Sequence, residues 1–299
     1  MAQFGTVITA MVTPFKSDGS LDHEAAAELA RWLVAHGNDA LVLAGTTGES
    51  AVLTDPERIE LFQVVRSAVD VALIAGSTTN DTAHSLHMTE AATEAGMDAI
   101  LAVVPYYNKP PQSGLEAHFR AIAAATDRPV MLYDVPGRTG RPLATETIVR
   151  LANSVDNIVS LKDAGGDPSR VADLLAALDR PFEVYCGDEP LNLAFAAYGA
   201  VGVVGVSTHW TGALQGEMFR AFEQGDLARA RTINQSLLAS FKYMNSDTCV
   251  FSQAVKVAMG ELGVAVGECR LPLGPAPAET AVAARTVLRD LGLLAQAES

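Results

Sequence analysis

The sequence predicts a (β/α)8 barrel followed by a C-terminal helical extension. Three observations predict it. Eight short apolar segments recur, mostly about 20–32 residues apart. Helical patterns with legible ends lie between them. The first segment lacks the GxGxxG turn that an open doubly wound sheet, the main rival, usually carries there. Strand and helix alternating eight times fit a closed parallel barrel.

The segments are GTVITAMVT, DALVLAG, VALIAGS, DAILAVVP, PVMLYDVP, IVSLKDA, FEVYCGD and GVVGVS. Each has the length and Val/Ile/Leu content of a strand buried on both faces. Thr54-Asp55-Pro56-Glu57 reads as a capping box before ERIELFQVVRSAV. Ser113 with Glu116 reads as another before EAHFRAIAAAT. Gly37 and Gly96 follow helical runs and suit the position just past a helix end. After Val206 the chain turns helical, through ALQGEMFRAFEQG, LARARTINQSLLASFKYMN, SQAVKVAMGELG and AETAVAARTVLRDLGLL. The first of these completes a barrel spanning 1–224, which carries the active site. The others form a helical domain over 225–299. No low-complexity linker separates the two, so the domain is expected to pack on the barrel.

A formal net charge of −14 argues against nucleic acid and anionic membrane as partners. An acidic substrate must then be drawn by local positive groups. Cys186, Cys249 and Cys269 are odd in number and form no CxxC pair, which fits a reducing, cytoplasmic setting and no zinc site. No signal peptide or membrane span is expected. The histidines include no HExxH. His84 and His87 share a helix face and read as a solvated face, with no metal.

In such a barrel the active site lies at the C-terminal strand ends. Lys162 ends the apolar run of the sixth segment. Lys16, Lys109, Lys242 and Lys256 do not share that placement. A desolvated amine loses proton affinity and forms a Schiff base with a carbonyl compound. The alternative is a lysine whose stem packs while its head reaches water. Tyr133 ends the neighbouring segment, where its hydroxyl is placed to shuttle a proton to that amine; it also reads as a core aromatic with a wet tip. Gly45-Thr46-Thr47-Gly48-Glu49 is either a carboxylate-binding turn or an ordinary strand-to-helix turn. Arg138, past a Pro-Gly turn, is either a carboxylate clamp or a solvated loop arginine.

With these residues in place the chain resembles the dihydrodipicolinate synthase family of pyruvate-dependent class I aldolases. The resemblance covers nearly the whole chain and rests on VTPF (12–15), GTTGES (45–50), PYYNKP (105–110), YDVPGRTG (133–140), LKDA (161–164) and CGDE (186–189). It implies a barrel with C-terminal helices, assembled as a homotetramer. It also implies a lyase of lysine and diaminopimelate biosynthesis that condenses pyruvate with aspartate 4-semialdehyde and uses no cofactor. By motif, Lys162 forms the imine and Tyr133 donates and accepts protons. Thr46 and Tyr107 complete a proton relay, with Tyr107 reaching a neighbouring subunit. Thr47 binds the pyruvate carboxylate, the Val204 backbone touches pyruvate, and Arg138 receives the semialdehyde's carboxylate. Gly187, at the seventh strand end, is counted with the substrate contacts.

Lyases of the same superfamily, for N-acetylneuraminate or keto-deoxy sugar acids, share the lysine and the tyrosine. Arg138 in the YxVPxRTG loop favours the synthase. Two departures stand out. Gly205 replaces a serine common in the family, which predicts a loosened pocket floor. The family's lysine effector site is matched at Ser50, Ala51, Asn80 and Tyr106, but Asp55 and Arg58 replace histidines and His84 replaces a glutamate. That predicts weak or absent inhibition by lysine. A phosphosugar isomerase is a second reading; it would take phosphate on backbone N–H groups near Gly187 and Gly205, with Glu49 as its only near candidate base. A catalytically silent relative is a third, and the intact set Thr46, Tyr107, Tyr133, Arg138 and Lys162 argues against it.

Overall fold

The computed structural model describes residues 2–295. Strands β1 (Val7–Ala10), β2 (Ala40–Leu43), β3 (Ala72–Ala75), β4 (Ala99–Val103), β5 (Val130–Asp134), β6 (Ile158–Asp163), β7 (Glu183–Cys186) and β8 (Gly202–Gly205) close a barrel in chain order. Every pairing is parallel, and β8 closes on β1 with Val204 opposite Ile8. All eight predicted segments are strands, so the open-sheet alternative falls.

Alternation along each strand divides the side chains into two sets. Ile8, Val42, Ile74, Leu101, Met131, Tyr185 and Val204 fill the barrel interior. Leu41, Leu43, Leu73, Ile100, Leu132, Leu161 and Val184 face outward and bury the apolar stripes of the surrounding helices. These helices are α1 (His23–Ala35), α2 (Asp55–Ala68), α3 (Thr82–Glu94), α4 (Gln112–Ala124), α5 (Pro136–Thr139), α6 (Thr145–Ser154), α7 (Ser169–Ala176), α8 (Asn192–Ala197) and α9 (Thr208–Glu223).

The capping box of α2 forms as expected. Glu57 N–H donates to Thr54 Oγ1 at 3.4 Å, and Thr54 N–H donates to the Glu57 carboxylate at 2.9 Å; such a cap contributes about 1 kcal/mol. Gly37 and Gly96 take φ of +89° and +81° at their helix ends, a conformation costly for any residue with a Cβ. The box expected at Ser113 does not form. Helix α4 starts at Gln112 with Pro111 as its cap, so Ser113 already lies inside the first turn. Proline has no side-chain acceptor, and Glu116 is committed to Arg120 and Arg150, at 2.9 Å each.

Beyond Gly225, whose φ of +79° turns the chain, come α10 (Leu227–Met244), α11 (Phe251–Glu261) and α12 (Glu279–Asp290). Ala230, Ile233, Leu237 and Phe241 of α10 pack on Met218 and Phe219 of α9. Ala254, Val255, Ala258 and Met259 of α11 join the core beneath the barrel helices. Residues 296–299, the end of the expected helical domain, lie outside the described residues. Among the described residues no helix is long and apolar enough to cross a membrane.

Candidate active site

Tyr133 and Lys162 are register partners on β5 and β6, as are Asp134 and Asp163 one step on. Alternation therefore points the phenol and the amine into the barrel and both carboxylates outward. Lys162 is 5 % exposed, and its Nζ lies 4.3 Å from the centroid of the Tyr133 ring. Behind the pair, Arg170 of α7 reaches Asp134 Oδ2 at 2.7 Å and Asp163 Oδ2 at 3.6 Å. Asp134 also accepts from Leu143 N–H at 3.1 Å, and Asp163 from Gly165 N–H at 2.8 Å. Burial pushes both carboxyl pKa values up, and the guanidinium opposes it. This outer strap ties the strand ends that present the inner pair.

The turn after β2 is held by more than its glycines. Ala44 and Glu49 bracket it with φ of +50° and +57°. A left-handed residue with a Cβ costs about 1–2 kcal/mol, so the surroundings must impose the shape. Thr13 Oγ1 donates to Gly48 O at 2.6 Å from the loop after β1. Thr47 is buried, while Thr46 opens onto the cavity above the barrel. The carboxylate of Glu49 is also buried and sits 2.7 Å from Lys256 Nζ. A glutamate paired in this way is not free to act as a base on substrate, which removes the isomerase reading's only candidate.

The floor at β8 corrects one expectation. A Cβ on Gly205 would meet Thr208 Cγ2 at 2.5 Å and Glu189 Oε1 at 2.8 Å. The glycine leaves no gap, because the Glu189 carboxylate fills the space. That carboxylate accepts from the N–H groups of Val206 and Ser207, the Ser207 hydroxyl and the Gln215 amide, all within 2.9 Å. Gly187 is equally confined: a Cβ there would lie 2.9 Å from Ala164 Cβ, and its N–H donates to Asp163 O at 2.7 Å. That N–H is therefore not free for a phosphate.

At the rim, Tyr107 stands 89 % exposed with φ of +72°. Arg138, on the short helix α5, lays its guanidinium 4.4 Å from the centroid of Phe251 on α11. Thr46, Thr78, Tyr106, Arg138, Phe251 and Arg270 are among the walls of a cavity of about 370 Å³ over the strand ends. A smaller recess of about 30 Å³ continues inward past Thr46 to Tyr133.

Ser50 and Ala51 form a 3-10 turn beside this cavity, and Asn108 Nδ2 donates to Asn80 O at 3.1 Å. His84 Nε2 is 2.8 Å from the Asp55 carboxylate. It is thus a half-buried partner, not the solvated group expected, while His87 is exposed. Arg58 is 4 % exposed; it donates to Ser50 O at 2.6 Å, and its Nε and Nη1 have no partner among the described residues. Among those residues no cluster of His, Cys, Asp and Glu could hold a metal.

The structure brings Lys162, Tyr133, Thr46, Thr47, Arg138, Gly187 and Val204 to one end of the barrel, and leaves Tyr107 pointing away from its own chain. Sequence reasoning missed Glu189, Arg170, Lys256, Arg270 and Phe251. For Glu189 the CGDE match was a usable signal. The others act through partners remote in sequence.

Comparison with known proteins finds relatives along nearly the whole chain. The dihydrodipicolinate synthetase family is matched over residues 3–290. The 4-hydroxy-tetrahydrodipicolinate synthase of Thermosynechococcus vestitus is 48 % identical over 297 residues, covering 98 % of this chain and 99 % of that one. The dihydrodipicolinate synthase of Cyanidioschyzon merolae, solved with lysine bound, superposes with a TM-score of 0.94 at 42 % identity, over 97 % of this chain and 99 % of that one. The chloride-inhibited enzyme of Acinetobacter baumannii, complexed with pyruvate, gives 0.91 at 34 % identity, over 98 % and 100 %.

Proposed function

The chain belongs to the dihydrodipicolinate synthetase family, and on that premise we propose how its residues carry out the chemistry. The activity is that of a 4-hydroxy-tetrahydrodipicolinate synthase, a Schiff-base lyase of lysine and diaminopimelate biosynthesis that uses pyruvate. The Lys162 amine adds to the ketone of pyruvate, and loss of water gives an imine. The imine draws electrons from the neighbouring methyl, which loses a proton and becomes an enamine carbon nucleophile. That carbon attacks the aldehyde of aspartate 4-semialdehyde. Ring closure through the semialdehyde's amino group releases the product and restores the amine.

The single observation that carries this reading is the contact between Lys162 and Tyr133 inside the barrel. A buried phenol beside the amine supports a role for Tyr133 in moving the protons that addition and dehydration require. Thr46 extends that path to the cavity. Thr47 and the Val204 backbone take the pyruvate carboxylate end, with Gly187 as a close wall. Arg138, braced on Phe251, receives the semialdehyde's carboxylate. Tyr107 enters the site of a second copy in a homotetramer; its full exposure on one chain is consistent with that. The cytoplasm is the setting, in keeping with three free cysteines.

The test is a coupled assay. Turnover with pyruvate plus aspartate semialdehyde, at least a hundredfold above that with N-acetylneuraminate or a keto-deoxy sugar acid, supports the reading. The reverse preference overturns it.

A further inference from the structure

Glu49 closes the turn that carries Thr46 and Thr47, and its carboxylate is buried. Its partner is Lys256 of α11, 2.7 Å away, with both side chains no more than 3 % exposed. Lys256 Nζ also donates to Glu268 O at 3.0 Å and lies 4.3 Å from the centroid of Phe15. The other oxygen of Glu49 accepts from Arg270 N–H at 2.9 Å. The Arg270 guanidinium holds Gly19 O at 2.8 Å, Val52 O at 2.9 Å and the Glu57 carboxylate, and it too lies against Phe15. The segment between these cationic residues meets the loop after β1 closely: a Cβ on Gly267 would lie 1.9 Å from Phe15 O. Three stretches of chain therefore converge behind one turn.

We propose that Lys256, acting through Glu49, is a positioning residue that sets the Thr46 and Thr47 hydroxyls, so that helix α11 is part of the catalytic apparatus. The turn is strained, because both of its flanking residues sit in the left-handed region without being glycine. A buried ion pair seldom raises stability over an apolar pair of the same shape, so stability alone does not account for it. It does fix one geometry, because the two charges come from segments far apart in the chain and meet in one buried contact. The inference rests on the roles given above to Thr46 and Thr47, and the experiment separates the two.

Glu49→Gln, Lys256→Met and the combined variant are compared with Thr46→Val and Thr47→Val. Each is measured for melting temperature, kcat, and KM for each substrate. The expected result is a folded Glu49→Gln protein with kcat down at least tenfold, KM for pyruvate up at least fivefold, and KM for the semialdehyde unchanged. A merely structural pair would not discriminate between the two substrates. Unchanged kinetics in folded Glu49 and Lys256 variants, with impaired threonine variants, overturns the inference and leaves the reading of the threonines standing. Unimpaired threonine variants overturn that reading itself. Failure of all three pair variants to fold assigns the pair to folding and also overturns the inference.

Discussion

Lys162 and Tyr133 face each other across two adjacent strands, with the amine 4.3 Å from the centre of the phenol ring. Tyr133→Phe keeps that ring and removes only the hydroxyl. It should therefore leave the barrel intact and slow turnover by about 10²–10⁴-fold, the usual worth of a positioned proton donor. Steady-state kinetics beside a thermal melt check this. A melt lowered as far as the rate would instead mean a packing role.

Two buried histidines and one paired glutamate should each cost stability in acid, in two stages, against the opposite contribution of the raised Asp134 and Asp163 carboxyls. His209 is buried: its Nδ1–H donates to Val206 O at 2.7 Å, and its Nε2 accepts from Val12 N–H at 3.2 Å. Burial lowers its pKa, and that of His118, to about 4. The unfolded chain takes up these protons near pH 6.5, and the folded chain refuses them until about pH 4. Stability is thus lost as pH falls through that window. Each histidine contributes a slope of up to about 1.4 kcal/mol per pH unit. Glu57, held down to about 2 by Arg270, adds a second loss as pH falls from about 4.5 toward 2. Denaturant titrations at pH 7, 5 and 4 measure the first stage, and His118→Gln should reduce its slope.

Gly205→Ser should destabilise the protein by about 1–3 kcal/mol, the cost of forcing atoms into a filled core. The Glu189 carboxylate already occupies that space and is fixed by its four donors. Shortening it in the same chain, Gly205→Ser with Glu189→Asp, should recover part of the loss. Equilibrium unfolding of the unaltered protein and the two variants decides it.

Lysine should inhibit weakly or not at all. At the residues matching the effector site, the one added cation, Arg58, is buried with unpaired N–H groups, and the nearby Asp55 carboxylate is occupied by His84. An incoming ammonium would meet the Arg58 charge, with the Asp55 carboxylate already engaged. A tenfold loss of activity at sub-millimolar lysine would contradict this.

The sequence made the barrel readable because each strand is a compact apolar run and each run ends in polar residues of distinct chemistry. Lys162, Tyr133 and Arg138 stood out as candidates on that ground, each beside a purely structural alternative. What stayed hidden depends on pairs far apart in the chain. Nothing local marks Lys256 as the partner of Glu49, or Arg170 as the strap behind Asp134 and Asp163. Gly205 read as a missing side chain because the carboxylate that fills its place comes from another strand end. Ser113 read as a cap because Glu116 follows at the right spacing, although its carboxylate is committed to two arginines.

The most direct measurement is reductive trapping. Borohydride added in the presence of pyruvate should fix one reduced pyruvyl group per chain, located by peptide mass spectrometry on Lys162 and absent from Lys162→Ala. Adduct on another lysine, or undiminished adduct and turnover in Lys162→Ala, would contradict the account.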